Sequence, residues 1–217
     1  MDSEVLINFG LMSVEKLTEL YGEVFSKLVR QAVADFISKK VGEQAPRLET
    51  MEDTAGYVRN NLQKYPMGHC AFWYGIGKAE TQIQGSAGPA IRVMLGTILR
   101  RMTELDGLSE IIGKTDKTIN ALSDFKKVAV SMEMLDENSY QCTGDADASE
   151  ARIVNCPNGD GCRSMLEEGV MRIGTRKPLC TISLGSAVTA ELVTKVPHDY
   201  EITELKPPNC VARIFKL

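Results

Sequence analysis

The stretch that decides the fold is Cys180–Phe215, which reads CTISLGSAVTAELVTKVPHDYEITELKPPNCVARIF. Its first half, Cys180–Val196, is interpreted as a helix because its apolar residues recur without turn signals. Its second half has two strand-like segments, Asp199–Leu205 and Cys210–Phe215, joined through two prolines and an asparagine that favour a turn. The chain is therefore predicted to end in a helix followed by a β-hairpin.

The residues before this stretch are mainly helical in pattern. Apolar residues three and four apart predict one long amphipathic helix from Ser13 to about Gly42. The aromatic run His69–Gly77 is typical of a short strand or a buried loop. Further helices are predicted at Glu49–Tyr65, Ile91–Leu105, Ser109–Lys126 and Gly161–Ile173.

Strand patterns appear after about residue 126. Val128–Leu135 and Ser139–Thr143 flank a polar turn and predict a hairpin, and Glu150–Asn155 predicts a third strand. Helices come first and strands follow without a regular βαβ alternation. We therefore expect an α+β fold in one domain over residues 1–217, with an antiparallel sheet packed against helices. Residues 1–125 form its mainly helical part and residues 126–217 its α+β part.

The composition excludes several classes of protein. The 217 residues are 43% hydrophobic and 25% charged, with a net charge of -4, which is ordinary for a folded domain. No run of Lys or Arg exceeds two residues, so we do not expect a nucleic-acid partner. The acidic N-terminus is unlike a signal peptide, and no segment approaches the about 20 apolar residues of a membrane span. These features predict a cytoplasmic protein.

Cysteines supply the main chemical signal, because cytoplasmic thiols are normally reduced and free to act. Four of the six, Cys156, Cys162, Cys180 and Cys210, lie in the C-terminal third. Thiolates combined with the nearby carboxylates or with His198 suit a tetrahedral zinc site. Four thiolates suit zinc or an iron–sulfur cluster. The alternative is that these cysteines are small buried apolar residues.

Several segments resemble the 4-vinyl reductase family, which includes hydrocarbon-binding proteins. The segments are Asn155–Pro157, Pro178–Gly185, Tyr200–Glu204 and Cys210–Ile214, and the resemblance covers roughly residues 125 to 217. Cys180 is followed by a glycine five residues later, and Glu201 matches the glutamate of the family pattern. Glu204 stands where that pattern has a middle cysteine.

The resemblance implies a structural zinc bound by Cys180, Glu201, Glu204 and Cys210. Cys156 or Cys162 could replace the thiolate that is missing at position 204. The resemblance also implies the fold of TRAPP-type proteins, with a homodimer formed through the N-terminal helices. The alternative is that the first helix packs only on its own core.

An apolar ligand is the predicted partner. Soft and aromatic side chains are densest at positions 67–74, where they are interpreted as the wall of a pocket for an apolar, aromatic or tetrapyrrole-like molecule. His69 is a candidate axial ligand for a haem-like iron. Packing in the core is the alternative for the whole set. The candidate pocket residues are His69, Cys70, Phe72, Trp73 and Tyr74.

Three functions follow from these patterns. The first is a small-molecule-binding domain with a zinc clamp. The second is an iron–sulfur or tetrapyrrole-linked redox enzyme that uses the C-terminal cysteines. The third is a TRAPP-like scaffold without a ligand.

Overall fold

A computed structural model of the chain describes residues 2–85, 91–98, 115–171 and 180–217. The chain divides into two compact units, which are described separately below. The sheet unit comprises Gly88–Cys156 and Ile173–Leu217, and the helical unit comprises Asp2–Ala87 and Pro157–Arg172. The single domain over residues 1–217 stays a prediction.

The helices and strands have the following bounds. The helical unit contains α1 (Ser3–Tyr21), α2 (Glu23–Val41), α3 (Met51–Asn61), α4 (Cys70–Gln84) and α7 (Gly159–Glu167). The sheet unit contains α5 (residues 91–98), α6 (Thr118–Ser131), β1 (Tyr140–Gly144), β2 (Ala148–Ile153), α8 (Thr181–Thr194), β3 (His198–Lys206) and β4 (Asn209–Lys216). The α+β class is confirmed, with N-terminal helices, an antiparallel sheet, and a C-terminal helix followed by a hairpin.

The first helix of the sequence is two helices. Gly22 separates α1 from α2, and its φ of 77° lies in a region that glycine adopts at little cost. The amide of Gly22 donates to the carbonyl of Thr18, which ends α1. The prediction of one continuous helix is wrong, because the apolar spacing continues across the break and hides it.

The aromatic run is also helical. Ten residues of α4, from Cys70 to Gly77 and then Ala79 and Glu80, are buried. A helix surrounded by protein shows no polar stripe, so its period cannot be recognised in the sequence. The prediction of a strand or loop at His69–Gly77 is therefore wrong.

The sheet has four antiparallel strands in the order β1-β2-β4-β3. The closing hairpin β3–β4 is confirmed within one residue at each end. The first hairpin is not where it was predicted, since residues 128–131 end α6 and β1 pairs with β2 instead. The side chain of Asp145 makes that turn by accepting from the amides of Asp147 and Ala148, at 2.9 and 3.0 Å.

One face of the sheet is covered by α6 and α8. Phe125 of α6 and Tyr140 of β1 have ring centroids 5.5 Å apart in this layer. A Cβ on Gly185 of α8 would lie 3.2 Å from the Phe125 ring, so a small residue is required at this contact. The core of the sheet unit therefore lies between these two helices and the sheet.

The helical unit is built on close contacts of α4 with its neighbours. A Cβ on Gly75 would lie 3.0 Å from Val33 of α2, and one on Gly161 of α7 would lie 2.9 Å from the carbonyl of Cys70. Glycines at these positions let the helix backbones approach. Within the described ranges, no helix is both long and apolar enough for a membrane span.

Candidate thiol site

Cys180 caps the N-terminus of α8 in the sheet unit. Its backbone is extended, and its sulfur accepts hydrogen bonds from the amide of Ser183 at 3.5 Å and from the hydroxyl of Ser183 at 3.2 Å. Serine and aspartate oxygens usually fill this role. A sulfur in this position lies in the positive field at the start of a helix, which favours its anionic form.

Cys210 is the second cysteine of the site and lies at the start of β4. Its thiol forms a hydrogen bond with the sulfur of Cys180. Both residues are buried, each with a relative exposure of 7%. The site therefore brings together a helix N-terminus and a strand that are 30 residues apart in the sequence.

Hydrogen bonding lowers the pKa of the Cys180 thiol. The thiol of Cys210 is the main cause, and the hydroxyl and amide of Ser183 add to it. Together with the amide of Ile182 they lower the pKa of Cys180 from 9.0 to about 6, although burial alone would raise it. Cys70, in the helical unit, behaves in the opposite way, because burial raises its pKa to about 12. Hydrogen bonding therefore favours the thiolate at Cys180, whereas burial favours the thiol at Cys70.

Two tyrosines border the thiol pair. The backbone amide of Cys180 hydrogen-bonds the hydroxyl of Tyr200. The hydroxyl of Tyr140 lies 2.9 Å from the oxygen of Ser186, whose own proton goes to the carbonyl of Ile182 at 2.8 Å. Tyr140 therefore donates to Ser186, and burial raises the pKa of Tyr140 so that it remains neutral.

The two carboxylates predicted to join the site lie on the other face of the sheet. Residues that pair across strands point to the same side of a sheet. Cys210 pairs with Leu205. Glu201 pairs with Arg213 and Glu204 with Val211. Both of these partners are an odd number of residues from Cys210 along β4, so the two glutamates point to the face opposite Cys210. Glu204 is exposed, and the nearest oxygen of Glu201 lies 3.4 Å from the Arg213 guanidinium.

The remaining cysteines are spread over both units. Cys156 is buried in the sheet unit, where its amide donates to the carbonyl of Pro208 at 2.9 Å. Cys162 is buried in α7 of the helical unit. Cys142 is half-buried in β1, and its sulfur lies 3.7 Å from the Ser123 oxygen.

The predictions of a zinc or iron–sulfur cofactor are therefore corrected. All six cysteines and both histidines lie within the described ranges, and in those ranges no three His, Cys, Asp or Glu residues are grouped so that they could hold a metal ion. For the zinc clamp, the reason is the register of β3 and β4, which places Cys210 and the two carboxylates on opposite faces of the sheet. The predicted zinc clamp and the predicted four-cysteine cluster are wrong.

Both histidines are engaged by protein atoms. In the helical unit, Nε2 of His69 donates to the carbonyl of Pro157 at 3.0 Å, and Nδ1 lies 3.4 Å from the Ser3 hydroxyl. In the sheet unit, Nδ1 of His198 donates to a backbone carbonyl at 2.7 Å, and Nε2 lies 3.0 Å from the Thr118 hydroxyl. Burial lowers the pKa of both rings. The chain has only these two histidines, so its residues do not fit a histidine-ligated haem.

The five predicted pocket residues belong to one buried layer of the helical unit. His69, Cys70, Phe72, Trp73 and Tyr74 are all buried at the start of α4. The hydroxyl of Tyr74 donates to Glu168 at 2.7 Å. The indole nitrogen of Trp73 is buried, and among the described residues it has no hydrogen-bond partner. A pocket at these residues stays a prediction.

Comparison with known proteins finds likeness in structure only. No family model and no curated protein matches the chain. The chain is similar to a point mutant of the T. tengcongensis H-NOX domain, with 15% identity over 96% of each chain and a TM-score of 0.41. It is also similar to an oxygen-binding H-NOX domain related to soluble guanylate cyclases, with 14% identity over 94% of this chain and 91% of that one, and a TM-score of 0.35.

The family resemblance inferred from the sequence is therefore wrong. No family model supports a 4-vinyl reductase domain, and the similar solved structures are H-NOX domains rather than TRAPP-type proteins. The resemblance rested on short motifs around Cys180 and Cys210. Those two cysteines do come together in the structure, but as a thiol pair without the carboxylates.

Ser183 is the residue of the site that sequence reasoning missed. A signal for it exists, because a capping residue commonly has a hydrogen-bonding partner three positions later. Cys180 and Ser183 have this spacing. Cysteine is not a usual capping residue, so the pattern was not recognised as a cap.

Proposed function

We propose that the sheet unit senses small oxidants through reversible oxidation of Cys180 and Cys210. The hydrogen bond between the two sulfurs supports this function more directly than any other contact. A thiolate is the reactive form of cysteine, and the donors around Cys180 favour that form. An adjacent thiol that can resolve the oxidised sulfur is typical of redox-sensing sites.

The reaction proceeds in two balanced steps with hydrogen peroxide as the oxidant. The Cys180 thiolate attacks one peroxide oxygen, so that an S–O bond forms, the O–O bond breaks, and hydroxide leaves. Cys210 then attacks the sulfenic acid, an S–S bond forms, and its proton joins the departing hydroxide to give water. Two thiols give up two electrons, which reduce the peroxide. An external thiol reverses the change by exchange.

Burial sets the size of the oxidant. Each cysteine is only 7% exposed, so little of either sulfur can be reached by a bulky reagent. Hydrogen peroxide is close to water in size, whereas an aromatic disulfide needs room for its leaving group. We therefore expect peroxide to react with the pair faster than aromatic disulfides do, relative to a free thiol in solution.

Mass spectrometry of the oxidised protein tests the proposal. The reduced protein is treated with one equivalent of hydrogen peroxide, and Cys180→Ser, Cys210→Ser and Cys142→Ser are treated in parallel. We expect wild type and Cys142→Ser to lose two hydrogens and to yield a peptide that joins Cys180 to Cys210. In Cys210→Ser, the intact mass should instead increase by one oxygen, which peptide mapping should locate as a sulfenic acid at Cys180.

Two results would overturn this function. One is that Cys180 and Cys210 stay reduced under conditions that oxidise free cysteine. The other is that Cys142→Ser loses the cross-link as completely as Cys210→Ser does. Cys142 is the matched control because it lies in the same unit and is more exposed than either cysteine of the pair.

A second function is favoured by one observation in the helical unit. The buried indole N–H of Trp73 has no acceptor among the described residues. An unpaired buried donor is costly, by roughly 1–3 kcal/mol, and a bound acceptor would remove that penalty. The matching ligand is an apolar or aromatic molecule that carries one carbonyl oxygen.

Calorimetry with a matched pair of ligands tests this second function. The probes are 4-methylacetophenone and 4-ethyltoluene, which are similar in shape but differ in the carbonyl. Wild type should bind the ketone more tightly than the hydrocarbon, and Trp73→Phe should lose that preference. Equal binding of the two probes by wild type, or the same preference in Trp73→Phe, would rule this ligand out.

A further inference from the structure

A groove lies on the surface of the helical unit, well apart in sequence from the thiol pair. Its volume is about 650 Å³, and its walls are one face of α1 and the first turns of α2 and α3. Three apolar side chains, Leu11, Met12 and Met51, contribute to its floor. The lining residues are Asn8, Leu11, Met12, Glu15, Thr18, Glu19, Glu23, Ser26, Met51 and Glu52.

The apolar residues of the groove can be reached from solvent. Met12 is 42% exposed, and Leu11 and Met51 are half-buried. The lining positions on α1 are three and four residues apart, so they form one continuous stripe along that helix. Methionine side chains adapt their shape to a partner, which makes them common at binding surfaces.

The rim of the groove is acidic. It carries four glutamates, and no Lys, Arg or His is among the lining residues. Glu19 is paired with Lys16, and Glu52 lies 3.4 Å from the Arg59 guanidinium. Glu15 and Glu23 have no ion-pair partner within the part of the chain that the structure describes. An apolar floor between uncompensated carboxylates is complementary to a partner that is both apolar and basic.

We propose that this groove binds a basic amphipathic helix of a partner protein. The apolar side of that helix packs on Leu11, Met12 and Met51, as in other helix-in-groove complexes. Its Lys or Arg residues pair with Glu15 and Glu23 at the rim. A second copy of this chain is a poorer occupant, because the same acidic rim on both copies would meet like charge with like charge.

Fluorescence anisotropy with a model peptide tests this surface. The probe is a labelled amphipathic peptide of leucine and lysine, about 15 residues long so that it can become helical on binding. A matched peptide has glutamate at every lysine position. We expect the basic peptide to bind, the acidic peptide not to bind, and the affinity to fall as salt is added.

Variants of the protein locate the binding. Glu15→Lys combined with Glu23→Lys should weaken binding of the basic peptide by about tenfold, since two exposed ion pairs become two repulsions. Met12→Ala should weaken it through the lost apolar contact. Glu167→Lys is the matched control, because Glu167 is exposed on α7 and does not line the groove, and it should bind as wild type does.

Three results would overturn the proposal. The first is that the acidic and basic peptides bind equally well. The second is that the protein with the double charge reversal binds the basic peptide as tightly as Glu167→Lys does. The third is that neither peptide binds; a dimer in light scattering that the double reversal disrupts would then assign the groove to a second copy. Circular dichroism of each variant verifies that its fold is unchanged.

Discussion

Replacing Cys210 with alanine should raise the pKa of Cys180. The Cys210 thiol is the largest cause of the low pKa at Cys180, ahead of the two donors from Ser183. Alanine removes this donor and leaves the Ser183 donors in place. Serine at position 210 is the matched control, because its hydroxyl keeps a donor at the same point of β4.

The size of the change follows from the strength of one hydrogen bond. A hydrogen bond to a charged group stabilises it by about 1.5–3 kcal/mol, which corresponds to about one to two pKa units. The pKa of Cys180, lowered to about 6 in wild type, should then rise to about 7–8 in Cys210→Ala. At pH 7, the ionised fraction would fall from about nine-tenths to between about a half and a tenth.

Ultraviolet absorbance of the thiolate measures this change without requiring a reagent to enter the site. Each protein is titrated with acid and base, and the titration of its Cys180→Ser counterpart is subtracted. Cys70 does not interfere in this range, because burial raises its pKa to about 12. The difference curve therefore reports the ionisation of Cys180.

The result that would refute the reasoning is specific. If wild type and Cys210→Ala titrate at the same pH, then Cys210 does not stabilise the thiolate, and the thiol pair is not a functional unit. If Cys210→Ser titrates with Cys210→Ala rather than near wild type, the effect comes from altered packing instead of the lost donor.

Three further predictions concern packing, acid stability and haem. Gly161→Ala should lower the free energy of unfolding by about 1–3 kcal/mol, because its Cβ would lie 2.9 Å from a backbone carbonyl. Gly56→Ala should raise the free energy of unfolding by about 0.4–1 kcal/mol in the same urea titration, because its Cβ would have no neighbouring atom within 4 Å. Burial lowers the pKa of both His69 and His198, so the unfolded chain binds protons first as pH falls below about 6.5. Stability should therefore drop between about pH 7 and pH 5, and His69→Gln with His198→Gln should drop less. Because both rings are engaged by protein atoms, added haemin should give no histidine-ligated spectrum in wild type.

Each of these predictions has an outcome that contradicts it. Equal stability of the two glycine variants would show that α7 can move away from α4 without penalty. An unchanged acid response in the double histidine variant would assign the loss of stability to other groups. A haemin spectrum with a histidine ligand that disappears in one histidine variant would show that this ring leaves its protein partners to bind iron.

Local patterns were sufficient for much of the fold. The helix Thr181–Thr194 and the hairpin after it follow from apolar spacing and from the turn at Pro207, and they were predicted within about two residues. The helix at Cys70–Gln84 was not, because burial on all sides removes the polar stripe that reveals a helix. The break at Gly22 was missed because the apolar spacing runs through it.

The sequence by itself determined the α+β class and identified Cys180 and Cys210 as candidate site residues, since both inferences depend on composition and on spacing along the chain. Only the tertiary structure decided what surrounds them. The pairing of β3 with β4 directs Glu201 and Glu204 away from Cys210, and a shift of one residue would have reversed that. Ser183 approaches the sulfur because Cys180 has an extended backbone and caps the N-terminus of α8. The same two cysteines could belong to a metal site or to a thiol pair, and the register of β3 against β4 decides for the thiol pair because it keeps the carboxylates on the other face.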